Sequence, residues 1–177
     1  MTEVTKVGNK LNMNQPLDQK ENEMRRKDRE KDMDFALNVV DTCPYGVVSM
    51  VSEDGKGYGV PLSIVRIGEY VYFHCARQGE KTENMKKNPF VSIACVNYVE
   101  PAKDDCTTYF DSAIVHGKAE EVTDKDEKWN MLIKLCERYT PENMSKFDEY
   151  VTPSLPQTAV WRVHIDSISG KSKPKMK

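Results

Sequence analysis

One stretch of this chain, from Gly57 to Asn88, limits the possible folds more than any other. It reads GYGVPLSIVRIGEYVYFHCARQGEKTENMKKN, the pattern of a strand, a tight turn, a second strand and a short helix. Pro61 lies within the first strand, and because proline has no backbone N–H, it is confined to an edge strand, a strand start or a bulge. In each of these positions, we expect backbone groups near Pro61 to be free to meet a ligand.

The second strand of this stretch alternates between two kinds of side chain, which indicates a strand with two different faces. The residues that suit a core are Val71, Phe73 and Cys75, and those of the opposite, aromatic face are Tyr70, Tyr72 and His74. The sequence predicts that this aromatic face can hold a flat ligand. The alternation also separates Cys75 from His74, which argues against a cysteine–histidine nucleophile.

The helix of this stretch begins at Gly79 and carries Lys81 in its first turn. The N–H groups of a first helical turn have no partner within the helix, and together with the helix dipole they favour an anion. A flat ring that ends in a phosphate would fit the strand edge, the aromatic face and the helix start together. The alternative interpretation of Lys81 is an ordinary solvated lysine, since lysines are mostly exposed.

Composition narrows the class of protein. The 177 residues suffice for one domain with a real core, and the net charge of −2 gives no overall basic field that would attract nucleic acid or an acidic membrane. Five cysteines, with no compact spacing to each other or to histidine, argue against a zinc site or a disulfide framework. No apolar run is long enough to span a membrane, so we expect a soluble, cytoplasmic protein. Together, these three observations predict no metal, no nucleic acid partner and no membrane partner.

The order of the remaining segments predicts the architecture. Residues 1–22 are polar and aperiodic, which indicates an N-terminal extension before a single domain over residues 23–177. Two further helices are predicted, one with Asp32 as its N-cap and one whose capping box is Thr123 with Asp126. The further strands are predicted over 45–52, 91–98, 107–122 and 158–168, and the third of these bends at Gly117. A loop over 99–105 and a connector over 140–157 join these elements. Because consecutive strands are joined by tight turns, we predict a mainly β (α+β) fold, a small antiparallel barrel with flanking helices.

Several short motifs, taken in order, resemble a known family. The segments VPLSIV, YVYFHCARQGEK and KKNPFVS are similar to the FMN-binding split-barrel superfamily that includes pyridoxamine 5'-phosphate oxidase. The segments MRRKDRE, CPYGVVSMVSEDGKGYGVPLS and IVHGKAEEVTDKDEK resemble its nitroimidazole-resistance (Nim) branch more closely, and the likeness runs from Met24 to Lys171. The resemblance implies a six-stranded split barrel, a homodimer with FMN at its interface, and reduction of nitro compounds such as 5-nitroimidazoles or of related small acceptors.

The resemblance also assigns residues. It implies that the isoalloxazine edge lies against the backbone of Val60 to Ser63, and that Lys81 with the helix start takes the phosphate. It places His74 beside the ring as the catalytic residue and Ser112 on the opposite wall of the pocket. The full implied cofactor set is Val60, Pro61, Leu62, Ser63, His74, Cys75, Ala76, Gly79, Lys81, Thr82, Ser112 and Trp161.

Three functions remain open at this point. The first is an FMN-dependent reductase that takes electrons from a reduced donor and passes them to a small acceptor over His74. The second is a non-catalytic flavin or haem carrier or sensor on the same barrel. The third is an oxidase of a phosphorylated pyridine, which needs a second phosphate site that the sequence does not display. Apart from these functions, the alternative interpretation of His74 is a hydrogen-bonded structural histidine.

Overall fold

The structure is a computed structural model that describes residues 24–103 and 106–175. The N-terminal extension predicted over residues 1–22 lies outside the described residues. Within the described ranges, the strands are β1 Glu30–Lys31, β2 Gly46–Val51, β3 Gly57–Leu62, β4 Ile64–Ile67, β5 Tyr70–Ala76, β6 Phe90–Ala102, β7 Thr107–Glu121 and β8 Thr158–Lys173. The helices are α1 Met33–Thr42, α2 Glu80–Lys87, α3 Lys125–Tyr139 and α4 Phe147–Val151.

All strands belong to one antiparallel sheet with the order β3-β2-β6-β7-β8-β5-β4, and β1 pairs with β8. Strands β3 and β4 therefore form the two edges of the sheet, yet only Ser63 separates them in the chain. Since one residue spans less than 4 Å, the two edges must meet at Ser63. The sheet thus curves into a barrel that the backbone closes at this point, which we call the seam.

This architecture confirms the predicted mainly β, antiparallel fold with flanking helices. The strand count differs from the six that the resemblance implies. The difference arises because the first strand of the Gly57 stretch divides at Ser63 into β3 and β4, and because β1 is a separate two-residue strand. Of the three positions that the sequence left open for Pro61, the structure has the edge strand, since β3 pairs with β2 alone among the described strands.

Two apolar clusters hold the helices to the sheet. The first fills the barrel and includes Phe73, Ile93 and Val115, together with Val39 and Val40 of α1. The second lies outside the barrel, where α3 and the segment after it cover β4, β5 and the start of β8. No described helix is both long and apolar enough to cross a membrane.

Several predicted boundaries agree with the structure and others do not. The N-cap at Asp32 is confirmed, since its Oδ1 accepts a hydrogen bond from the N–H of Phe35 at 2.8 Å. The capping box at Thr123 was wrong by one residue, because Asp124 is the N-cap and accepts from the N–H of Glu127 at 2.8 Å. The predicted bend at Gly117 is confirmed by a register shift between His116 and Gly117.

The long strands exceed their predicted lengths. Residues 99–102 belong to β6 and not to a loop, and β8 continues past 168 to Lys173. In both places, pairing with β7 continues the ladder. Val99 of β6 lies opposite Phe110 on one side of β7, and Lys173 of β8 lies opposite Phe110 on the other side. Hydrogen bonds to β7 therefore outweigh the loop-like composition of these segments. The predicted connector over 140–157 contains α4 between two short 3-10 segments.

Candidate functional site

The seam exposes the segment that the sequence singled out. Pro61 and Ser63 are exposed, whereas Val60 and Leu62 are half-buried. Because β3 has a strand partner on one side only, its outer edge carries backbone groups that no strand satisfies. The backbone from Val60 to Ser63 is therefore accessible to a ligand.

The register of β4 and β5 brings His74 to the seam. Ile64 lies opposite Phe73, so Ser63, just before β4, is level with His74, the residue after Phe73. On its other side, His74 is paired with Val160 of β8. The His74 side chain is exposed, while its neighbours Phe73 and Cys75 are buried in the barrel. The structure thus brings Ser63 and His74 together on one accessible surface.

Lys81 belongs to the same surface. Although the His74 ring reaches solvent, desolvation by surrounding atoms lowers its pKa below 6.5, and the positive charge of Lys81 lowers that pKa further. Lys81 itself is half-buried, and it forms no hydrogen bond or ion pair with any other described residue. A cation in this position is suited to meet an anion from outside the chain.

The first turn of α2 is anchored to the sheet, and its N–H groups face open space. Its N-cap, Gly79, has a φ of 129°, which side chains rarely adopt, and the position of a Cβ there has no heavy atom within 4 Å. Among the described residues, no side chain caps the first N–H groups of the helix. Thr82 anchors the helix from inside, because its buried Oγ1 donates to the carbonyl of Ala76 at 3.2 Å. The helix start therefore presents uncapped donors to open space, next to Lys81.

The aromatic face of β5 differs from the prediction. Tyr72 is buried under α3 and donates a hydrogen bond to Glu127 Oε1 at 3.0 Å, and Tyr70 packs edge-on against His164. The prediction of an aromatic face open to a flat ligand was therefore wrong for the two tyrosines, since α3 covers that part of the strand. Only the His74 end of the face remains exposed.

Some of the predicted cofactor residues lie away from the seam surface. The side chains of Cys75, Thr82 and Trp161 are buried, so any contact with a ligand at the seam would use their backbone groups. The indole Nε1 of Trp161 is buried without a hydrogen-bond partner among the described residues. Ser112 pairs with Lys171 near the end of β8, whereas His74 pairs with Val160 near its start. One chain therefore does not bring Ser112 to His74.

Two residues of α3 that the sequence did not single out hold the seam. The Oη of Tyr139 accepts a hydrogen bond from the N–H of Ile64 at 3.0 Å and donates to the carbonyl of Ile64 at 2.9 Å. Arg138 donates to the same carbonyl at 2.8 Å and to the carbonyl of Cys43 at 2.7 Å. Their only sequence signal was a place in the last turn of a predicted helix, where a basic residue suits the helix dipole.

Known proteins share this architecture. A structure described as a candidate 5-nitroimidazole antibiotic resistance protein from Bacteroides thetaiotaomicron is 24% identical over 80% of this chain and 84% of its own, with a TM-score of 0.66. The flavocytochrome Anf3 from Azotobacter vinelandii is 18% identical over 85% of this chain and 72% of its own, with a TM-score of 0.73. The FAD and heme binding protein from Mycobacterium smegmatis is 18% identical over 83% and 74%, with a TM-score of 0.70. At these identities, the likeness shows a shared fold.

The sequence itself gives the family. No curated protein matches the chain. The family model described as pyridoxamine 5'-phosphate oxidase matches residues 32–172, which include every strand from β2 to β7 and all but the last residue of β8. Since this match covers most of the chain, the protein belongs to the pyridoxamine 5'-phosphate oxidase family.

Proposed function

We propose that this protein binds FMN at the seam and uses it to reduce small acceptors, with nitro compounds such as 5-nitroimidazoles as the leading class. The observation that carries the proposal is the surface formed by Ser63, His74 and Lys81, where a free strand edge, an exposed imidazole and an uncapped helix start adjoin. The family and the names of the structural neighbours support a flavin. The likeness to a protein described by nitroimidazole resistance favours nitro acceptors.

The residues present fit such a cofactor. Lys81 and the N–H groups that follow Gly79 would hold the phosphate, because the helix start is uncapped and the lysine has no partner among the described residues. The exposed backbone from Val60 to Ser63 would meet the polar edge of the ring system. A bound flavin supplies the electron transfer itself, and the protein supplies binding, orientation and charge.

His74 would act on the acceptor. Because its pKa lies below 6.5, the imidazole is mainly neutral at pH 7 and keeps one proton, on one of its two ring nitrogens. That N–H can donate a hydrogen bond to a nitro oxygen and so stabilise the negative charge that develops there.

A second copy of the chain would complete the site. Ser112 lies on an outward face of β6 and β7 whose exposed apolar side chains are Val96, Val99 and Ile114, with exposed fractions of 41%, 59% and 42%. Such a patch on a soluble surface favours a partner. We propose a homodimer in which this patch is buried and Ser112 faces the partner's seam, since one chain cannot bring Ser112 to its own His74.

The visible absorbance spectrum of the purified protein tests the proposal. We expect the two bands of an oxidised flavin, bleaching under anaerobic reduction, and their return when a 5-nitroimidazole is added. A Soret band, or a flavin that no acceptor re-oxidises, would favour the second candidate, a non-catalytic haem or flavin carrier. Two structural neighbours motivate that candidate, because their names include heme or flavocytochrome.

Sedimentation of the same sample tests the dimer. We expect twice the mass of one chain at micromolar concentration, because the apolar patch of β6 and β7 would otherwise face water. A monomer that retains flavin would contradict the shared site, whatever the acceptor chemistry.

A further inference from the structure

A cavity lies at the opposite end of β8 from His74. Its volume is about 400 Å³, and its lining includes Arg26, Asp28, Arg29, Tyr109, Ser172 and Lys173. This volume is typical of a site for a small organic molecule. Nothing in the proposed flavin chemistry uses these residues.

The cavity is built by elements that fix its side chains. Arg29 ends a 3-10 turn, in which its N–H bonds to the carbonyl of Arg26 at 3.0 Å. The turn leads directly into β1, whose Glu30 pairs with Lys171 of β8, so the arginines are held against the end of the sheet. On the other wall, Ser172 is buried, with 4% of its surface exposed. The 3-10 turn, β1 and the end of β8 therefore build most of the site.

The side chains of this cavity carry more positive than negative charge. Three cationic side chains and one carboxylate line it. Arg26 already forms a bidentate ion pair, because its Nε and Nη2 donate to the two oxygens of Asp28 at 2.7 and 2.5 Å. Those hydrogen bonds lower the pKa of Asp28 to about 2, so the carboxylate stays charged at neutral pH.

Arg29 is the group whose hydrogen-bonding capacity is unused. Its Nε lies 3.9 Å from Asp28 Oδ2, too far for a hydrogen bond, and its guanidinium donates to no other described residue. Only 23% of its side chain is exposed. A guanidinium has five donors in a planar fork that matches the oxygens of a phosphate or a carboxylate. Lys173, over the ring of Tyr109, adds positive charge beside it.

We infer that this cavity binds a small oxyanion of two or more negative charges, through the guanidinium of Arg29 and the charges of Arg26 and Lys173. The ligand is a phosphate ester or a small polycarboxylate, since both offer the paired oxygens that the fork requires. This site is separate from the flavin site within one chain, because the two lie at opposite ends of β8.

Isothermal titration of the full-length protein with inorganic phosphate, and separately with citrate, tests the inference. We expect at least one of the two anions to bind, and the stronger binder identifies the source of the oxygens. Arg29→Gln should weaken that binding about tenfold or more, because it removes a charge-assisted contact. Lys146→Gln, which removes one exposed charge from the connector before α4, should leave the affinity unchanged.

A second variant keeps the test decisive if Arg29→Gln does not fold. Pro174→Glu places a carboxylate at an exposed position of the same lining, where folding is not at risk, and it should abolish anion binding. The inference is overturned if neither anion binds at millimolar concentration, if Arg29→Gln and Lys146→Gln weaken binding equally, or if Pro174→Glu binds as the parent does. Loss of flavin from Arg29→Gln, recorded in the visible spectrum of the same sample, would also overturn it by assigning the cavity to the flavin site.

Discussion

The hydroxyl of Tyr139 bonds to both backbone groups of Ile64, at 3.0 Å from its nitrogen and 2.9 Å from its oxygen. Ile64 is the first residue of β4 and is fully buried, and the exposed Ser63 precedes it. The last turn of α3 therefore fixes the residue at which the two sheet edges meet. The accessible backbone at the seam depends on this contact, although Tyr139 does not touch the candidate ligand surface.

Tyr139→Phe should destabilise the fold. The substitution leaves the buried N–H of Ile64 without a partner, whereas its carbonyl keeps the hydrogen bond from Arg138. One unsatisfied buried donor costs about 1 to 3 kcal/mol in the free energy of unfolding. Urea denaturation measures this loss. Tyr150→Phe is the matched control, because that tyrosine is 58% exposed, and equal stability of the two variants would contradict the role of Tyr139.

Gly79→Ala should disturb the start of α2. The φ of 129° at Gly79 lies in a region that is essentially restricted to glycine, so alanine there costs roughly 1 to 3 kcal/mol or shifts the helix start. We expect a lower free energy of unfolding and weaker binding of FMN. Gly57→Ala is the control, since no heavy atom lies within 4 Å of its added Cβ and its φ is not positive. If both variants bind FMN as the parent does, the proposed role of Gly79 in the phosphate site is contradicted.

The pKa of His74 should report the charge of Lys81. Desolvation keeps this pKa below 6.5, and Lys81 lowers it further, so Lys81→Ala should raise it while leaving it below its ordinary value. Because the folded-state pKa is depressed, the contribution of neutral His74 to stability is complete above pH 6.5 and is lost as the pH falls through that folded-state pKa. NMR titration of the imidazole measures the change. Lys86→Ala, on the exposed side of the same helix, should leave the titration unchanged.

His74→Ala should separate binding from chemistry. The variant keeps the backbone of Val60 to Ser63 and the start of α2, so it should still bind FMN and accept electrons from the donor. Re-oxidation by a nitroaromatic compound should slow by about 10² or more, the usual effect of removing a positioned hydrogen-bond donor to developing negative charge. Stopped-flow measurement of the two half-reactions distinguishes these steps. Re-oxidation at the parent rate would remove His74 from the mechanism.

Local patterns in the sequence were enough to predict part of this structure. The restriction of Pro61 to an edge, a strand start or a bulge and the N-cap at Asp32 follow from groups within a few residues, and the structure agrees with both. The start of a helix after Gly79 follows in the same way. In these segments, the chemistry of the backbone determines the conformation without distant contacts.

Contacts between distant segments account for the rest. The division of β3 from β4 at Ser63 depends on which strands pair at the two edges, and no pattern near Ser63 contains that information. The covering of Tyr72 by α3 likewise depends on where Glu127 packs. Tyr139 is 75 residues from Ile64 in the chain, so the contact that fixes the seam leaves no local pattern at either residue.

The affinities of FMN and riboflavin for the parent protein and for Lys81→Ala test the central claim most directly, because the two ligands differ only in the phosphate. If the phosphate lies at the start of α2, Lys81→Ala should weaken FMN by roughly ten- to hundredfold, the effect of losing one charge-assisted hydrogen bond, and should leave riboflavin nearly unchanged. Lys86→Ala should change neither affinity. Equal weakening of FMN and riboflavin by Lys81→Ala, or no change in either, would contradict a flavin phosphate site at Lys81.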